Sequence, residues 1–165
     1  MGRITGAQPG SFTGNAISLL GDVTGDGLVD VATSAVFADS TAGLSGAGQV
    51  GIWTASELGE SSITDAPILI EGYFDSAGYG QVIQPTGDIN SDGYTDYMMA
   101  ATLGDVAVIL PGGVGEPGIE DDALFRLFAG NNDPNGRARM IGDIDGDGRN
   151  DLSWISPDHS EIRLY

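Results

Sequence analysis

The chain has 165 residues, 41% of them apolar, which suits one domain or an array of small repeats with a real core. Its formal charge is −18, with only six Lys and Arg, which argues against nucleic-acid binding because phosphates would be repelled. It has no cysteine, which excludes Cys-based sites, and its longest apolar run, 97–103, is too short to span a bilayer.

Short apolar segments, partly β-branched or aromatic, alternate with Gly- and Asp-rich turns and predict an all-β chain. In chain order the predicted strands are 2–6, 13–20, 29–37, 48–54, 67–71, 79–86, 95–102, 105–110, 123–129, 135–141, 151–155 and 160–165. They group into units at about 11–71, 72–129 and 130–165. The third unit lacks a fourth strand, and we expect residues 2–6 to complete it.

An acidic loop occurs once in each unit, between the first and second predicted strands. The copies are GDVTGDGLVD at 21–30 (loop 1), GDINSDGYTD at 87–96 (loop 2) and GDIDGDGRND at 142–151 (loop 3). Counted from the first Asp, side-chain oxygens fall at positions 1, 3, 5 and 9, and position 6 is Gly, which permits a positive φ. Ca²⁺ takes six to eight oxygen ligands at roughly 2.3–2.6 Å, so each loop is predicted to bind one calcium ion.

The predicted ligands are the side chains at positions 1, 3, 5 and 9 and the backbone carbonyl at position 7. They are Asp22, Thr24, Asp26, Leu28 and Asp30 in loop 1; Asp88, Asn90, Asp92, Tyr94 and Asp96 in loop 2; and Asp143, Asp145, Asp147, Arg149 and Asp151 in loop 3. Thr24 leaves loop 1 one charge short of loop 3, so we expect calcium affinity to fall from loop 3 to loop 2 to loop 1.

The acidic loops have two other possible interpretations. An EF-hand would need an acid at position 12 and a helix on each side, but position 12 is Thr33, Met99 or Trp154 and strands follow. Asp-Gly clusters can also form turns without any metal. Three copies in one register favour metal, because crowded carboxylates repel one another unless a cation lies among them.

Four-stranded units with this loop between strands one and two resemble the FG-GAP repeats of the integrin α-subunit β-propeller. The loops match the Gly-Asp-x-Asn-Gly-Asp-Gly-x-x-Asp-Leu pattern, and Tyr79-Gly80 stands where Phe-Gly is usual. The repeat pattern is matched less closely at three other dipeptides, Thr13-Gly14, Asn135-Gly136 and Ser156-Pro157. The resemblance implies a β-propeller of four-stranded antiparallel blades, with three blades in this chain.

Propellers close with about four to eight blades, so the expected assembly is a C2 homodimer that forms a six-bladed ring. Residues 2–6 would close a blade in their own chain or, by preference, in the partner's. The alternative is a fragment of a longer propeller.

Catalysis has little support, because the only histidine, His159, lies in a short SPDHS turn and lacks the spacing of a catalytic triad. We therefore predict a non-enzymatic, calcium-stabilised scaffold, either a natural half-propeller or an engineered or reconstructed one. The alternative is a carbohydrate- or protein-binding module that uses Phe12, Tyr73 and Phe74 on the loop face. These rings could instead pack between blades, and Trp53 and Trp154 are predicted to be core.

Location is inferred from the metal. No signal peptide opens the chain. Calcium sites that need millimolar calcium to be occupied fit the calcium concentration outside the cell. We therefore expect an extracellular or cell-surface protein.

Overall fold

The strands coincide with short, largely apolar segments that are separated by glycine-rich turns. A computed structural model describes residues 2–101, 105–115, 117–119, 121–128, 137–146, 150–155 and 162–164. Its elements are β1 (Arg3–Thr5), β2 (Thr13–Gly21), β3 (Asp30–Ala35), β4 (Gln49–Trp53), β5 (Glu60–Ser62), a 3-10 turn (Ile63–Asp65), β6 (Ile68–Glu71), β7 (Val82–Gly87), β8 (Asp96–Ala100), β9 (Asp105–Leu110), β10 (Phe125–Phe128), β11 (Arg137–Gly142), β12 (Asp151–Ile155) and β13 (Ile162–Leu164).

Three antiparallel sheets hold most of these strands. Sheet 1 has the order β2-β3-β4-β6, sheet 2 the order β7-β8-β9-β10, and sheet 3 the order β11-β12-β13 within the described residues. Neighbouring strands in each sheet are antiparallel. The all-β class and the four-stranded antiparallel sheets are therefore confirmed, and each sheet strand lies within a few residues of its predicted position.

The sheets stack face to face in chain order. Strand β2 contacts β7, and β7 contacts β11, so the first strands of the three sheets lie side by side. Between sheets 1 and 2 the buried cluster includes Leu20, Ile52, Ile83, Tyr97 and Leu110. A second cluster between sheets 2 and 3 includes Met98, Ile109, Ala138 and Leu152. This arrangement is propeller-like, with apolar side chains filling the space between successive sheets.

The N-terminal strand has a neighbour that the sequence did not predict. In this chain β1 pairs in parallel with β5, with Arg3 opposite Glu60 and Ile4 opposite Ser61. Ile4 also packs against a third buried cluster that contains Trp53 and Ile63. The expectation that residues 2–6 complete the third unit, in this chain or a partner, stays a prediction.

The described residues contain a single helical element, the 3-10 turn. Among those same residues, no helix has the length and apolar character that crossing a membrane requires.

Candidate metal centre

Each acidic loop leaves its sheet at the same backbone irregularity. The strand register shifts between Leu19 and Gly21, between Pro85 and Gly87, and between Met140 and Gly142. The three glycines have φ of 88°, 80° and 85°, the left-handed region that side chains with a Cβ avoid. Each glycine pairs with the Asp at position 9, so the bulge brings both ends of the loop together.

The Asp at position 9 makes the same contact in all three loops: one of its oxygens accepts the backbone N–H of position 2. Asp30 Oδ2 accepts from Val23 at 2.8 Å, Asp96 Oδ2 from Ile89 at 2.9 Å, and the Asp151 Oδ2 bond to the Ile144 N–H is 2.6 Å. Asp30 and Asp96 are fully buried. A fixed carboxylate at this point anchors the far end of each loop.

The Asp at position 1 closes the near end of the loop. Asp22 accepts the N–H groups of Gly25 at 2.6 Å and Gly27 at 2.9 Å. Asp88 accepts those of Asp92 at 3.0 Å and Gly93 at 2.9 Å.

Loop 3 repeats the pattern with Asp143, whose Oδ1 accepts the N–H of Gly146 at 2.6 Å. The three loops therefore share one hydrogen-bonded frame at both ends.

Loop 3 brings three predicted ligands together. Oxygens of Asp143, Asp145 and Asp151 all lie within 4.8 Å of one another. An all-oxygen set of carboxylates at this spacing suits a hard divalent cation such as Ca²⁺. Asp147 and Arg149, the other predicted ligands of this loop, lie outside the described residues.

Loops 1 and 2 do not gather three acidic side chains in this way within the described part of the chain. Position 3 is Thr24 or Asn90, which supplies a neutral oxygen. The carboxylates at position 5 bond within their own loops: Asp26 Oδ1 accepts the Leu28 N–H at 2.8 Å, and Asp92 Oδ2 accepts the Asn90 Nδ2 at 2.8 Å. Ligation by loops 1 and 2 stays a prediction.

Position 7 was expected to offer only its backbone carbonyl. The side chains of Leu28 and Tyr94 are 47% and 36% exposed, which suits a residue whose side chain takes no part in ligation. The contact that sequence reasoning missed is that of the Tyr94 ring with Gly25 of loop 1. That contact depends on how two sheets stack, so no local pattern could have indicated it.

Electrostatics at loop 1 favour a cation. Burial raises the pKa of Asp30 above its ordinary value, although the N–H groups of Thr24 and Val23 oppose the shift and nearby Asp26 adds to it. A buried carboxylate beside a second carboxylate is costly to ionise, and a bound cation would favour the ionised form.

The predicted aromatic anchors divide into two groups. Tyr73 and Phe74 are partly buried against the cluster between sheets 1 and 2, so they pack between sheets. Phe12 is 63% exposed and forms an edge-to-face pair with Phe37, with ring centroids 5.2 Å apart. Trp53 is core at 2% exposure, Trp154 is partly buried, and His159 lies outside the described residues.

Taken together, the stacked antiparallel sheets and the repeated acidic loops define an all-β chain that fits an integrin-like β-propeller. No protein-family model matches the chain. It is 32% identical to integrin alpha-PS5 of Drosophila melanogaster over 171 aligned positions, which cover 97% of this chain. The chain spans 16% of the length of that protein.

Proposed function

We propose that this chain is a calcium-binding, non-enzymatic, integrin-like β-propeller scaffold with one Ca²⁺ in each acidic loop. The observation that carries the proposal is the group of three carboxylates in loop 3, Asp143, Asp145 and Asp151. The shared frame of loops 1 and 2 extends it to three sites. The similarity to an integrin alpha subunit supports the same assignment.

The ion's role in this proposal is structural. It would offset the charge of the clustered aspartates and hold the connection between the first two strands of each sheet. Because binding is restricted to the folded loop, its free energy adds to the stability of the folded state. An extracellular or cell-surface location, where calcium is abundant, belongs to the same proposal.

Calorimetric titration with calcium tests the proposal. The unaltered chain should bind three ions, and Asp145→Asn should remove or weaken one site because it takes a carboxylate from loop 3. Asp121→Asn is the matched control, since Asp121 is an exposed acid outside the loops. Absence of calcium binding, or equal loss in both variants, would contradict the assignment.

We further propose that two copies of the chain assemble into a closed ring. The observation is an apolar patch on sheet 1 that neither sheet 2 nor sheet 3 covers within the described residues: Ile17 and Leu19 are 72% and 65% exposed. Ile17 and Ile83 occupy equivalent positions, each five residues before the first Asp of its own loop. Ile83, in sheet 2, is only 5% exposed because sheet 1 covers it. Sheet 3 of a second copy would supply the missing cover.

Light scattering tests the ring. We expect a mass about twice 16.9 kDa for the unaltered chain and a monomer for Leu19→Lys. Leu58→Lys is the matched control, because Leu58 is also exposed, at 39%, but lies outside the sheets. A monomeric unaltered chain would contradict the ring.

A second candidate function, binding of a carbohydrate or protein ligand, is favoured by one observation. Phe12 and Phe37 form an exposed aromatic pair, and Phe12 holds a φ of 57°, an unusual conformation for a bulky side chain. Exposed rings are ordinary anchors for sugars and peptides. A glycan array with the unaltered chain and with Phe12→Ala tests this, and signals that the substitution leaves unchanged would count against the pair.

A further inference from the structure

Hydrogen bonds connect loop 1 to loop 2 and end on a predicted calcium ligand at each side. Asp30 Oδ2 accepts the N–H of Val23 at 2.8 Å, and the Val23 carbonyl accepts the N–H of Gly113 at 2.7 Å. The adjacent Gly112 donates its N–H to Asp96 Oδ1 at 3.0 Å. Asp30 and Asp96 occupy position 9 of their loops, so three hydrogen bonds separate the two sites.

A second connection joins the other end of loop 1 to loop 2. The N–H of Thr95 donates to the backbone carbonyl of Asp22 at 2.9 Å. The ring of Tyr94 lies against Gly25, and it also contacts Gly113 of the first path. Loop 2 therefore contacts loop 1 at positions 1 and 4, and Gly113 contacts it at position 2.

Burial restricts the movement of the hydrogen-bonded groups along this path. Val23, Asp30 and Asp96 are at most 1% exposed. A buried N–H or carbonyl that loses its partner cannot replace it with water, so neither carboxylate can shift without disturbing the path. Within the described residues, loop 3 makes a lighter contact with sheet 2, in which Asn150 Nδ2 donates to the Thr86 carbonyl at 3.3 Å.

We propose that loops 1 and 2 bind calcium cooperatively through this path, an inference that rests on the proposed calcium function. An ion in loop 2 fixes Asp96, which holds Gly112 and Gly113. Gly113 then holds the Val23 carbonyl, so loop 1 is already ordered when its own ion arrives. Part of the ordering cost of loop 1 is thus met before binding, which raises its affinity.

The experiment is a calorimetric double-mutant cycle in an Asp145→Asn background, which confines the comparison to loops 1 and 2. Four proteins are titrated with Ca²⁺: both loops intact, loop 1 disabled by Asp26→Asn, loop 2 disabled by Asp92→Asn, and both disabled. Asp26 and Asp92 are exposed and lie off the path. We expect each loop to bind calcium about five-fold or more tightly when the other is intact, with the same factor in both directions.

Asn90→Ala provides a second way to weaken loop 2 if Asp92→Asn fails to fold, as judged by circular dichroism. Tyr94→Ala keeps the position 7 carbonyl but removes the ring, and we expect it to reduce the coupling factor at least two-fold. Val29→Ala, at an exposed loop 1 residue that is not a predicted ligand, is the control and should leave the factor unchanged.

The outcomes are distinct. Calcium affinities that are equal with and without the other loop, or a coupling factor that Tyr94→Ala leaves intact, would overturn the inference while leaving the calcium function standing. Absence of calcium binding in every protein, including the unaltered chain, would overturn the proposed function and the inference together.

Discussion

The ring of Tyr94 lies so close to Gly25 that a Cβ on Gly25 would collide with it. The two residues belong to different acidic loops, at position 7 of loop 2 and position 4 of loop 1. Their contact makes the packing of one loop depend on the residue type in the other.

We predict that Gly25→Ala destabilises the protein more than Gly27→Ala does. Both glycines have a φ of 82°, so either substitution carries the left-handed strain of about 1–2 kcal/mol. A Cβ on Gly27 has no heavy atom within 4 Å, so only Gly25→Ala adds the collision. Urea denaturation measures the difference, and Tyr94→Ala should remove it. Equal losses in the two single variants would show that the ring can simply move aside.

The buried face of sheet 2 gives a second prediction. Ile83→Ala should lower the free energy of unfolding by about 2–5 kcal/mol, because Ile83 is buried between sheets 1 and 2. Ile17→Ala, at the matching position of sheet 1, should cost little in a monomer and shift the assembly toward monomer at low concentration. Denaturation at two protein concentrations checks both, and a large loss for Ile17→Ala without concentration dependence would be inconsistent with the ring.

The strands could be predicted because each acidic loop marks a fixed point in its unit. Once Asp22, Asp88 and Asp143 are aligned, the apolar runs on either side take matching places, and the sheets confirm them. The grouping of Asp143, Asp145 and Asp151 in loop 3 could likewise be predicted, because the spacing of side chains within a loop is local. Their count and type depend on nothing beyond nine residues of sequence.

What the sequence did not indicate depends on contacts between distant segments. Strand β5 is three residues long and polar, ESS, so it has no apolar alternation of its own. It is a strand because β1 lies beside it and Ile4 packs near Trp53. The contact of Tyr94 with Gly25 and the path through Gly113 likewise require the stacking of sheets 1 and 2.

The pairing of β1 can be assigned to one chain or two by cross-linking. Because the native chain has no cysteine, Ile4→Cys with Ser61→Cys gives a unique thiol pair at directly opposed positions. We predict that a short bismaleimide links the thiols within one chain, as the structure places them, and denaturing electrophoresis then shows a monomer. A covalent dimer would mean that the N-terminal strand is exchanged between copies.

Acid should remove one contribution to stability that lies outside the loops. The N–H of Gly46, 2.8 Å from Asp39 Oδ1, lowers the pKa of Asp39. A lowered pKa stabilises the folded state above the ordinary value of about 3.9, and that contribution disappears as the pH falls through the lower folded-state value.

The unaltered chain should therefore melt at a higher temperature than Asp39→Asn at pH 7, with the gap closing below about pH 3.9. Asp121→Asn controls for the change in net charge. A gap that stays constant with pH would show that the ionised carboxylate of Asp39 is not the source of the stability.

The number of calcium ions held by the purified chain tests the central claim most directly. After dialysis against buffer with millimolar calcium and separation from free metal, elemental analysis should find three ions per chain in the unaltered protein. A variant with Asp26→Asn, Asp92→Asn and Asp145→Asn should hold fewer, because each change removes a predicted ligand from a different loop. No bound calcium in the unaltered chain, or the same number in both proteins, would contradict the account.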